Sequence, residues 1–455
     1  MSGFATITFA GAIGTVTGSK YLLETDSRRV LVDCGLFQGR RSVRERNWQQ
    51  PRIDVTELDA VILTHAHLDH SGYLPVLRKA GFTGPVYCTS GTASLARILL
   101  PDSGYLQEED ARYTNRKGLS KHRPARPLYT QSEAHECLDA LTVTKFNDAV
   151  PLAEGFSATF RSAGHILGAA RVDFDIKGRR VAFSGDVGRP HDPIMNAPAA
   201  LTPADYLVVE STYGNRLHDP KFPLLRDIVN RTIARDGILL IPAFAVGRAQ
   251  ALLHLLATLT DSCEIPSVPI FLNSPMAIDA TEIFCDHADE HHLSPEECRA
   301  MCGIAHYVNS ADESRELNQM RGPMIIISAS GMASGGRILH HFKAWLGDSR
   351  NTVLFTGFQA AGTRGANMVA GASSVRIHGQ AYIVNAEICE ITSLSAHADR
   401  DELINWMRPL TQQPPKSVFI THGEPKAAEA LRNHAEAELA VNAVVPIDGE
   451  RRILE

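Results

Sequence analysis

Short runs of hydrophobic residues alternate with segments of helical periodicity along the whole chain. In the first half, RRVLVDCG (28–35) and DAVILTH (59–65) each predict a buried strand that ends in polar or glycine residues. A second series includes GILLIPAF (237–244) and PMIIISAS (323–330), with helical patterns such as GRAQALLHLLATL (247–259) between its members. Strands that alternate with helices favour parallel sheets, so we predict an α/β fold.

The end of the chain returns to the pattern of its beginning. KSVFITHG (416–423) predicts a strand whose final ITHGE resembles the LTHAH that ends an early strand. We therefore predict one domain, residues 1–210 and 391–455, with a second domain, residues 211–390, inserted before the last strands. The polar stretch 105–127 is predicted as a solvated surface excursion, with a basic lip for a polyanion as the alternative.

The composition is that of an ordinary soluble globular protein, with 44% hydrophobic and 21% charged residues. The sequence has no run of about 18 apolar residues, so no membrane span is predicted, and the N-terminus lacks the basic region of a signal peptide. The 8 cysteines are scattered, as is typical of a reducing compartment, and we expect a cytoplasmic protein. The net charge of −6 leaves a nucleic-acid partner open, because bound cations and a local basic groove can attract phosphates.

Three histidines and an aspartate crowd the stretch ILTHAHLDHSGYLP, residues 62–75. His65 and His67 follow a predicted strand at i and i+2, and a tight loop lets both imidazoles converge on one cation. Asp69 and His70 would then reach a neighbouring position. Neutral imidazoles and carboxylates suit Zn²⁺, but these side chains are too few for two metals, so further ligands are expected elsewhere.

Further candidates stand near the ends of predicted strands: His165 in SAGHILGAA, Asp186 in FSGDVGR and His422 in FITHGEP. A carboxylate such as Asp186 can bridge two cations. The predicted ligand groups around it are His65, His67 and His165 on one side and Asp69, His70 and His422 on the other. Asp33, which ends VLVDCG, is predicted to orient an imidazole as a hydrogen-bond acceptor. Two metals about 3.5–4 Å apart can hold a bridging hydroxide, so we predict a hydrolytic dimetal site.

The order of these residues resembles that of the metallo-β-lactamase fold family: Asp33, then HAHLDH, His165, Asp186 and a late His422. The resemblance implies an αββα sandwich with the metals at one edge. It does not choose a substrate, because lactamases, thioesterases, lactonases and nucleases share this set of ligands.

The long insertion between Asp186 and His422 resembles that of the β-CASP nucleases. LVVESTYGNR is similar to their motif A, with Glu210 as the acidic residue; SLSAHADRDEL is similar to motif B, with His397; and ITHGEP is similar to motif C, with His422. Histidine at motif C is found in the RNA-directed members. The resemblance, strongest to bacterial relatives of the eukaryotic pre-mRNA 3′-end cleavage endonuclease, implies an inserted β-CASP domain with a parallel sheet flanked by helices. It also implies two zinc ions per chain, with Mn²⁺ as the alternative metal, and suggests a homodimer.

The expected reaction is hydrolysis of RNA phosphodiester bonds, with a metal-bridging hydroxide attacking phosphorus in line. Asp69 could accept the proton of the attacking water. His397 is predicted to protonate the departing 3′-oxygen, and Glu210 to orient its imidazole; the alternative for His397 is a structural role at a helix start. Attack by water would leave 5′-phosphate and 3′-hydroxyl ends.

Phosphate contacts are predicted for the glycine-rich segment SASGMASGGR, which follows a strand and could open a helix with free N–H groups. The residues named for substrate binding are Arg248, Ser330, Ser334 and Arg337. The alternative is that the segment serves packing alone. An enclosed dimetal cleft would admit single strands more readily than a duplex, so single-stranded RNA is the expected substrate.

Other interpretations stay open at this point. The same metals could serve a hydrolase of a small ester or lactam, or the chain could be a non-catalytic RNA-binding paralogue. A 5′-exonuclease activity could accompany endonucleolytic cleavage.

Residues 285–306 hold three cysteines and several histidines, but SPEE (294–297) predicts a helix N-cap with a capping box. We therefore predict Cys298 and Cys302 as ordinary buried helix residues, not as ligands of a structural zinc site.

Overall fold

A computed structural model describes residues 3–50, 52–118, 124–218, 225–357, 359–360 and 362–455. The chain forms two compact units. Unit 1 consists of Met1–Asp192, Asn196–Leu217 and His397–Glu455, and unit 2 of Pro193–Met195 and His218–Ala396. The sequence predicts these divisions at 210/211 and 390/391. Within the described ranges, no helix is both long enough and apolar enough to cross a bilayer.

The first part of unit 1 contains eleven strands and five α-helices within the described residues. Its strands are β1 (Ala5–Phe9), β2 (Tyr21–Glu24), β3 (Arg29–Val32), β4 (Ala60–Ile62), β5 (Val86–Thr89), β6 (Leu141–Thr144), β7 (Ala149–Ala153), β8 (Phe156–Ser162), β9 (Ala170–Ile176), β10 (Arg179–Phe183) and β11 (Tyr206–Val209). Its helices are α1 (Arg41–Arg44), α2 (Leu68–Ser71), α3 (Leu74–Lys79), α4 (Ser90–Lys117) and α5 (Gln131–Cys137).

Unit 2 follows with alternating helices and strands. Its helices are α6 (Leu225–Ala234), α7 (Arg248–Asp261), α8 (Pro275–Asp286), α9 (Pro295–Gly303), α10 (Ala311–Leu317), α11 (Ile338–Trp345) and α12 (Arg364–Val369). Its strands are β12 (Ile238–Pro242), β13 (Ile270–Asn273), β14 (His306–Tyr307), β15 (Met324–Ser328), β16 (Thr352–Phe355), β17 (Ser374–Ile377), β18 (Gln380–Ile383) and β19 (Glu387–Glu390). The chain then returns to unit 1 with α13 (Arg400–Met407), β20 (Ser417–Ile420), α14 (Pro425–Leu439), β21 (Ala443–Val444) and β22 (Arg451–Leu454).

Unit 1 is built on two facing sheets. One has the strand order β22-β1-β2-β3-β4-β5-β6 and the other β21-β20-β11-β10-β9-β8-β7. Side chains such as Ile7, Phe9, Phe160, Phe174 and Phe183 fill the space between them. The outer face of the first sheet packs against helices α3 to α5, and that of the second against α13 and α14. This layering confirms the predicted αββα sandwich.

Both sheets contain a parallel part, and this part positions the site. Strands β3, β4, β5 and β6 run parallel in the first sheet, and β10, β11, β20 and β21 in the second. The carboxyl ends of parallel strands lie along one edge of a sheet, which is where ligands bind in open α/β folds. Residues that directly follow these strands are therefore brought together.

Unit 2 contains a sheet in which every pairing is parallel, with the order β14-β13-β15-β12-β16-β19. All residues of β12 and β15 are buried, as expected for strands covered on both faces. Helix α11 packs Ile338, Leu339 and Phe342 into the same core. The predicted inserted domain with a parallel sheet flanked by helices is confirmed.

Residues 105–117 lie at the surface, as predicted, but they form the last turns of a helix and not a solvated loop. Helix α4 continues to Lys117 and ends at Gly118, whose φ of 64° forms a left-handed cap. The buried residues of α4 end at Gly104, so the later turns carry polar side chains and lack the apolar periodicity that identifies a helix in sequence. Residues 119–123 lie outside the described part of the chain.

Candidate metal centre

The predicted ligands meet in unit 1 although they are spread over most of the chain. Asp33 follows β3, and the turn from His65 to His70 follows β4. Asp186 follows β10, Glu210 follows β11 and His422 follows β20. His165 lies in the turn between β8 and β9, and His397 precedes α13.

A first group of donor atoms consists of His65 Nε2, His67 Nδ1, His165 Nε2 and Asp186 Oδ2. His67 Nδ1 lies 3.2 Å from His65 Nε2 and 3.3 Å from His165 Nε2. Asp186 Oδ2 lies 3.5 Å from His65 Nε2 and 3.6 Å from His165 Nε2. In a tetrahedral zinc site with ligands at about 2.0–2.1 Å, donor atoms are roughly 3.3–3.4 Å apart. The spacing of this group fits such an ion.

A second group consists of Asp69, His70, His422 and the other oxygen of Asp186. His70 Nε2 lies 3.1 Å from His422 Nε2 and 3.3 Å from Asp186 Oδ1. Asp69 Oδ2 lies 3.5 Å from His422 Nε2. The two carboxylate oxygens of Asp186 thus face different groups. Asp186 Oδ1 is buried without a hydrogen-bond partner among the described residues, which is costly unless a cation satisfies it.

Asp33 holds His70 in the orientation that a ligand needs. His70 Nδ1–H donates to Asp33 Oδ2 over 2.7 Å, so Nε2 is the ring atom that faces the second group and can offer a lone pair to a cation once its proton is displaced. The backbone N–H of Thr64 donates to Asp33 Oδ1 over 2.8 Å. On the opposite side, Thr212 Oγ1 lies 3.2 Å from His422 Nδ1. The sequence interpretation missed both threonines; their positions next to or near a strand end would have been the signal.

Burial and the neighbouring charges set the protonation of these groups in the metal-free protein. Burial lowers the pKa of His67 to about 4 and that of His65 well below its usual range, so both imidazoles keep lone pairs for a metal. Burial by itself would raise the pKa of Asp186, but His422, His70 and His65 hold it well below its usual range. The carboxylates of Asp186 and Asp33 overcome burial at His70 and raise its pKa.

His397 and Glu210 form a pair beside the first group. His397 Nδ1 lies 3.2 and 3.3 Å from the two oxygens of Glu210, and 3.9 Å from Asp186 Oδ2. Burial by itself would lower the pKa of His397, but the Glu210 carboxylate raises it to about 9. Glu210 also accepts hydrogen bonds from the backbone N–H groups of Val187 and Thr212. The His397 side chain is 20% exposed while Glu210 is buried, so the imidazole is the member of the pair that can meet a substrate.

The predicted substrate-binding residues all lie in unit 2. Ser330 Oγ accepts hydrogen bonds from the backbone N–H groups of Ser334 and Gly335, over 3.2 and 3.3 Å. The Arg337 guanidinium donates to Asn273 Oδ1 and to the carbonyl oxygen of Val308. Arg248 begins α7. Ser330 and Arg337 thus support the loop itself, and contact of these residues with a substrate stays a prediction.

Removing the orienting charge of Asp33 is expected to weaken the second group selectively. In Asp33→Asn the amide nitrogen would face His70 Nδ1, forcing a proton onto Nε2 and removing a ligand lone pair. We expect zinc affinity at one of two sites to fall about 10- to 100-fold, measured by competition with a chromogenic chelator. The exposed Asp26→Asn is the matched control, and equal zinc affinities of the two variants would contradict the role of Asp33.

The turn that carries the histidine cluster packs against Gly35 without space for a side chain. A Cβ at Gly35 would lie 1.6 Å from the backbone oxygen of Asp69. Gly35→Ala is expected to displace this turn, to lower the free energy of unfolding by roughly 1–3 kcal/mol and to reduce bound zinc. Thermal unfolding and metal analysis test this against Gly303→Ala, where a Cβ meets open space; identical results for both variants would contradict it.

Comparisons with known proteins show which families this chain resembles. Family models match for the Beta-lactamase superfamily domain at residues 28–228, the Beta-Casp domain at 249–368 and the Zn-dependent metallo-hydrolase RNA specificity domain at 381–446. A crystal structure of a protein of unknown function from Enterococcus faecalis V583 has a TM-score of 0.53 and 16% identity, and covers 99% of this chain and 100% of its own, which supports the fold alone.

Named relatives span nearly the whole chain. Ribonuclease TTHA0252 of Thermus thermophilus is 36% identical over 92% of this chain and 94% of its own. Transcription termination factor FttA of Methanosarcina mazei is 31% identical over 96% of this chain and 69% of its own. Integrator complex subunit 11 of Danio rerio is 28% identical over 98% of this chain and 73% of its own. The chain belongs to the β-CASP family of metallo-β-lactamase-fold proteins and is a metal-dependent hydrolase that acts on RNA.

Proposed function

We propose that the chain is a dizinc endoribonuclease that hydrolyses single-stranded RNA and leaves 5′-phosphate and 3′-hydroxyl ends, with 5′-exonuclease activity as an additional capability. The observation that carries the proposal is the pair of donor groups that share the two oxygens of Asp186. A homodimer in the cytoplasm is part of the proposal, and light scattering of the purified protein tests the oligomeric state.

The first zinc would be held by His65, His67, His165 and Asp186, and the second by Asp69, His70, His422 and Asp186. When bound, such a metal pair activates water as a nucleophile at neutral pH and neutralises charge that develops on phosphate oxygens. The chain supplies the rigid arrangement, because most of these side chains are buried and Asp33 fixes the ring of His70. His67 and Asp69 are partly exposed and mark the side from which RNA can approach.

Proton transfer is assigned to two side chains at this open side. Asp69 accepts the proton of the attacking water through its carboxylate, which is 19% exposed. His397 donates a proton to the departing 3′-oxygen of the ribose. Glu210 keeps the His397 imidazole charged and fixes its orientation through Nδ1, so that Nε2 is the atom that carries the transferred proton.

His67→Ala is expected to lose bound metal and RNA cleavage together. His67 Nδ1 lies next to both His65 Nε2 and His165 Nε2, so its removal takes away one of the metal ligands of the first group. The assay uses zinc-loaded protein with end-labelled single-stranded RNA, a matching duplex, and a chromogenic lactam. The proposal expects internal cleavage of the single strand, 5′-phosphate ends on the products, and no lactam turnover.

Other outcomes would redirect the assignment. Equal cleavage by wild type and His67→Ala would identify a contaminating nuclease. Turnover of the lactam without RNA cleavage would favour the small-molecule hydrolase, and RNA binding without cleavage by metal-loaded protein would favour the non-catalytic paralogue. Preference for duplex RNA would overturn the single-strand part of the proposal.

A further inference from the structure

Two cysteines meet in unit 2, in a stretch that the proposed RNA chemistry does not use. Cys285 lies in the last turn of α8 and Cys302 in the last turn of α9, 17 residues apart, and their Sγ atoms are 3.1 Å from each other. The predicted capping box of Ser294 and Glu297 is present at the start of α9, and Cys298 is buried. The prediction that Cys302 is equally buried is wrong, because its thiol turns towards α8 and is half-buried.

The surroundings of this pair favour sulfur chemistry over metal binding. Within the described residues, no group of three metal-ligand side chains with suitable spacing includes Cys285 or Cys302. In the same stretch Cys298 Sγ lies 4.0 Å from His291 Nε2, and that imidazole already lies 3.1 Å from the carbonyl oxygen of Phe284. Cys298 also interacts with the Cys285 thiol, so it is the competing partner that the test has to separate. A disulfide needs an S–S distance of about 2.05 Å, so the two sulfurs have to approach by only about 1 Å.

We propose that Cys285 and Cys302 are a redox-active dithiol that closes reversibly to an intramolecular disulfide by exchange with small disulfides such as glutathione disulfide. Both thiols are half-buried, so a small reagent can reach them, whereas Cys298 is buried. The bond would join the C-terminal ends of α8 and α9 and close a loop over residues 286–301. Closing this loop lowers the conformational entropy of the unfolded chain and so stabilises the folded state.

The exchange runs in two steps. The Cys302 thiolate attacks one sulfur of glutathione disulfide, forms a mixed disulfide and expels one glutathione thiolate. Cys285 then loses its proton to solvent and attacks the Cys302 sulfur, which expels the second glutathione. The two cysteines lose two electrons and two protons, and glutathione disulfide gains them. A hydrogen bond from Cys285 lowers the pKa of Cys302 to about 7, which makes Cys302 the first nucleophile.

The test equilibrates reduced, full-length protein in glutathione mixtures of rising disulfide content, followed by an acid quench, alkylation of free thiols and peptide mass analysis. We expect Cys285 and Cys302 of the wild-type protein to lose their alkylatable thiols together and to appear in one linked peptide. Cys263 is exposed and should form only a mixed disulfide with glutathione, so it reports that the oxidant is active. Dithiothreitol should reverse both changes.

Single variants separate the roles of the thiols. Cys285→Ser should accumulate glutathione on Cys302, because the resolving thiol is gone. Cys302→Ser should leave Cys285 largely alkylatable, and Cys298→Ser should still form the link. A wild-type link that involves Cys298, a stable glutathione adduct on Cys302, or two free thiols when Cys263 is fully modified would each overturn the proposal. The wild-type peptide map alone decides the question if a variant does not fold.

Discussion

Asp186→Asn is expected to lose RNA cleavage by at least three orders of magnitude and to bind little zinc at either position. The amide keeps the size of the side chain but removes the negative charge that both donor groups share. It also offers an N–H group where the carboxylate would offer an oxygen lone pair to a bound cation. Losing several kcal/mol of charge stabilisation in the transition state corresponds to about 1,000-fold in rate, at about 1.36 kcal/mol for each factor of ten.

The measurement pairs zinc content with single-turnover RNA cleavage at saturating metal. Asp175→Asn is the matched control, because Asp175 is an exposed carboxylate on the neighbouring strand β9. Asp186→Asn protein that retains two tightly bound zinc ions would show that the carboxylate is not shared. Protein that lacks zinc but still cleaves RNA would refute the dimetal mechanism as a whole.

His397→Gln is expected to retain zinc and to cleave RNA about 100- to 10,000-fold more slowly, the usual contribution of a general acid. Glu210→Gln tests the partnership separately, because it keeps the imidazole but removes the carboxylate that raises its pKa to about 9. A general acid is active while it is protonated, so wild-type cleavage should fall as the pH rises through this pKa. In Glu210→Gln the fall should begin at lower pH, and the ratio of wild-type to variant rate should therefore increase from neutral pH towards pH 9.

Bound cations near the imidazole shift the alkaline fall in rate of wild type and of Glu210→Gln in the same direction. The difference between the two pH–rate profiles is therefore the quantity to measure. His434→Gln, an exposed histidine paired with Glu438 on α14, is the control and should leave rate and profile unchanged. Coincident profiles for wild type and Glu210→Gln would remove Glu210 from this role. Loss of zinc in either variant would instead indicate that the pair belongs to the metal site, since Asp186, Glu210 and His397 also have the spacing of metal donors.

Much of the fold and the identity of the candidate ligands could be predicted from local features. Buried strands such as β12 and β15 appear in the sequence as uninterrupted apolar runs, because both faces of a parallel sheet are covered. The crowding of His65, His67, Asp69 and His70 is visible because all four follow one strand. The distant partners were identified by their strand-end positions and by family resemblance. The helical conformation of residues 105–117 was not predicted, because the exposed last turns of α4 carry no apolar stripe.

The sequence alone determined which residue types converge. Strand ends and metal-ligand side chains can be recognised from short stretches of sequence, and parallel strands end at one edge of a sheet. Only the tertiary structure decided which atom of each side chain faces the metal positions: His67 presents Nδ1 while His65 and His165 present Nε2, and the oxygens of Asp186 separate towards two groups. The contact of Cys285 with Cys302 was equally invisible, since it depends on how α8 packs against α9. Distances between residues far apart in sequence are set by packing, and periodicity carries no information about them.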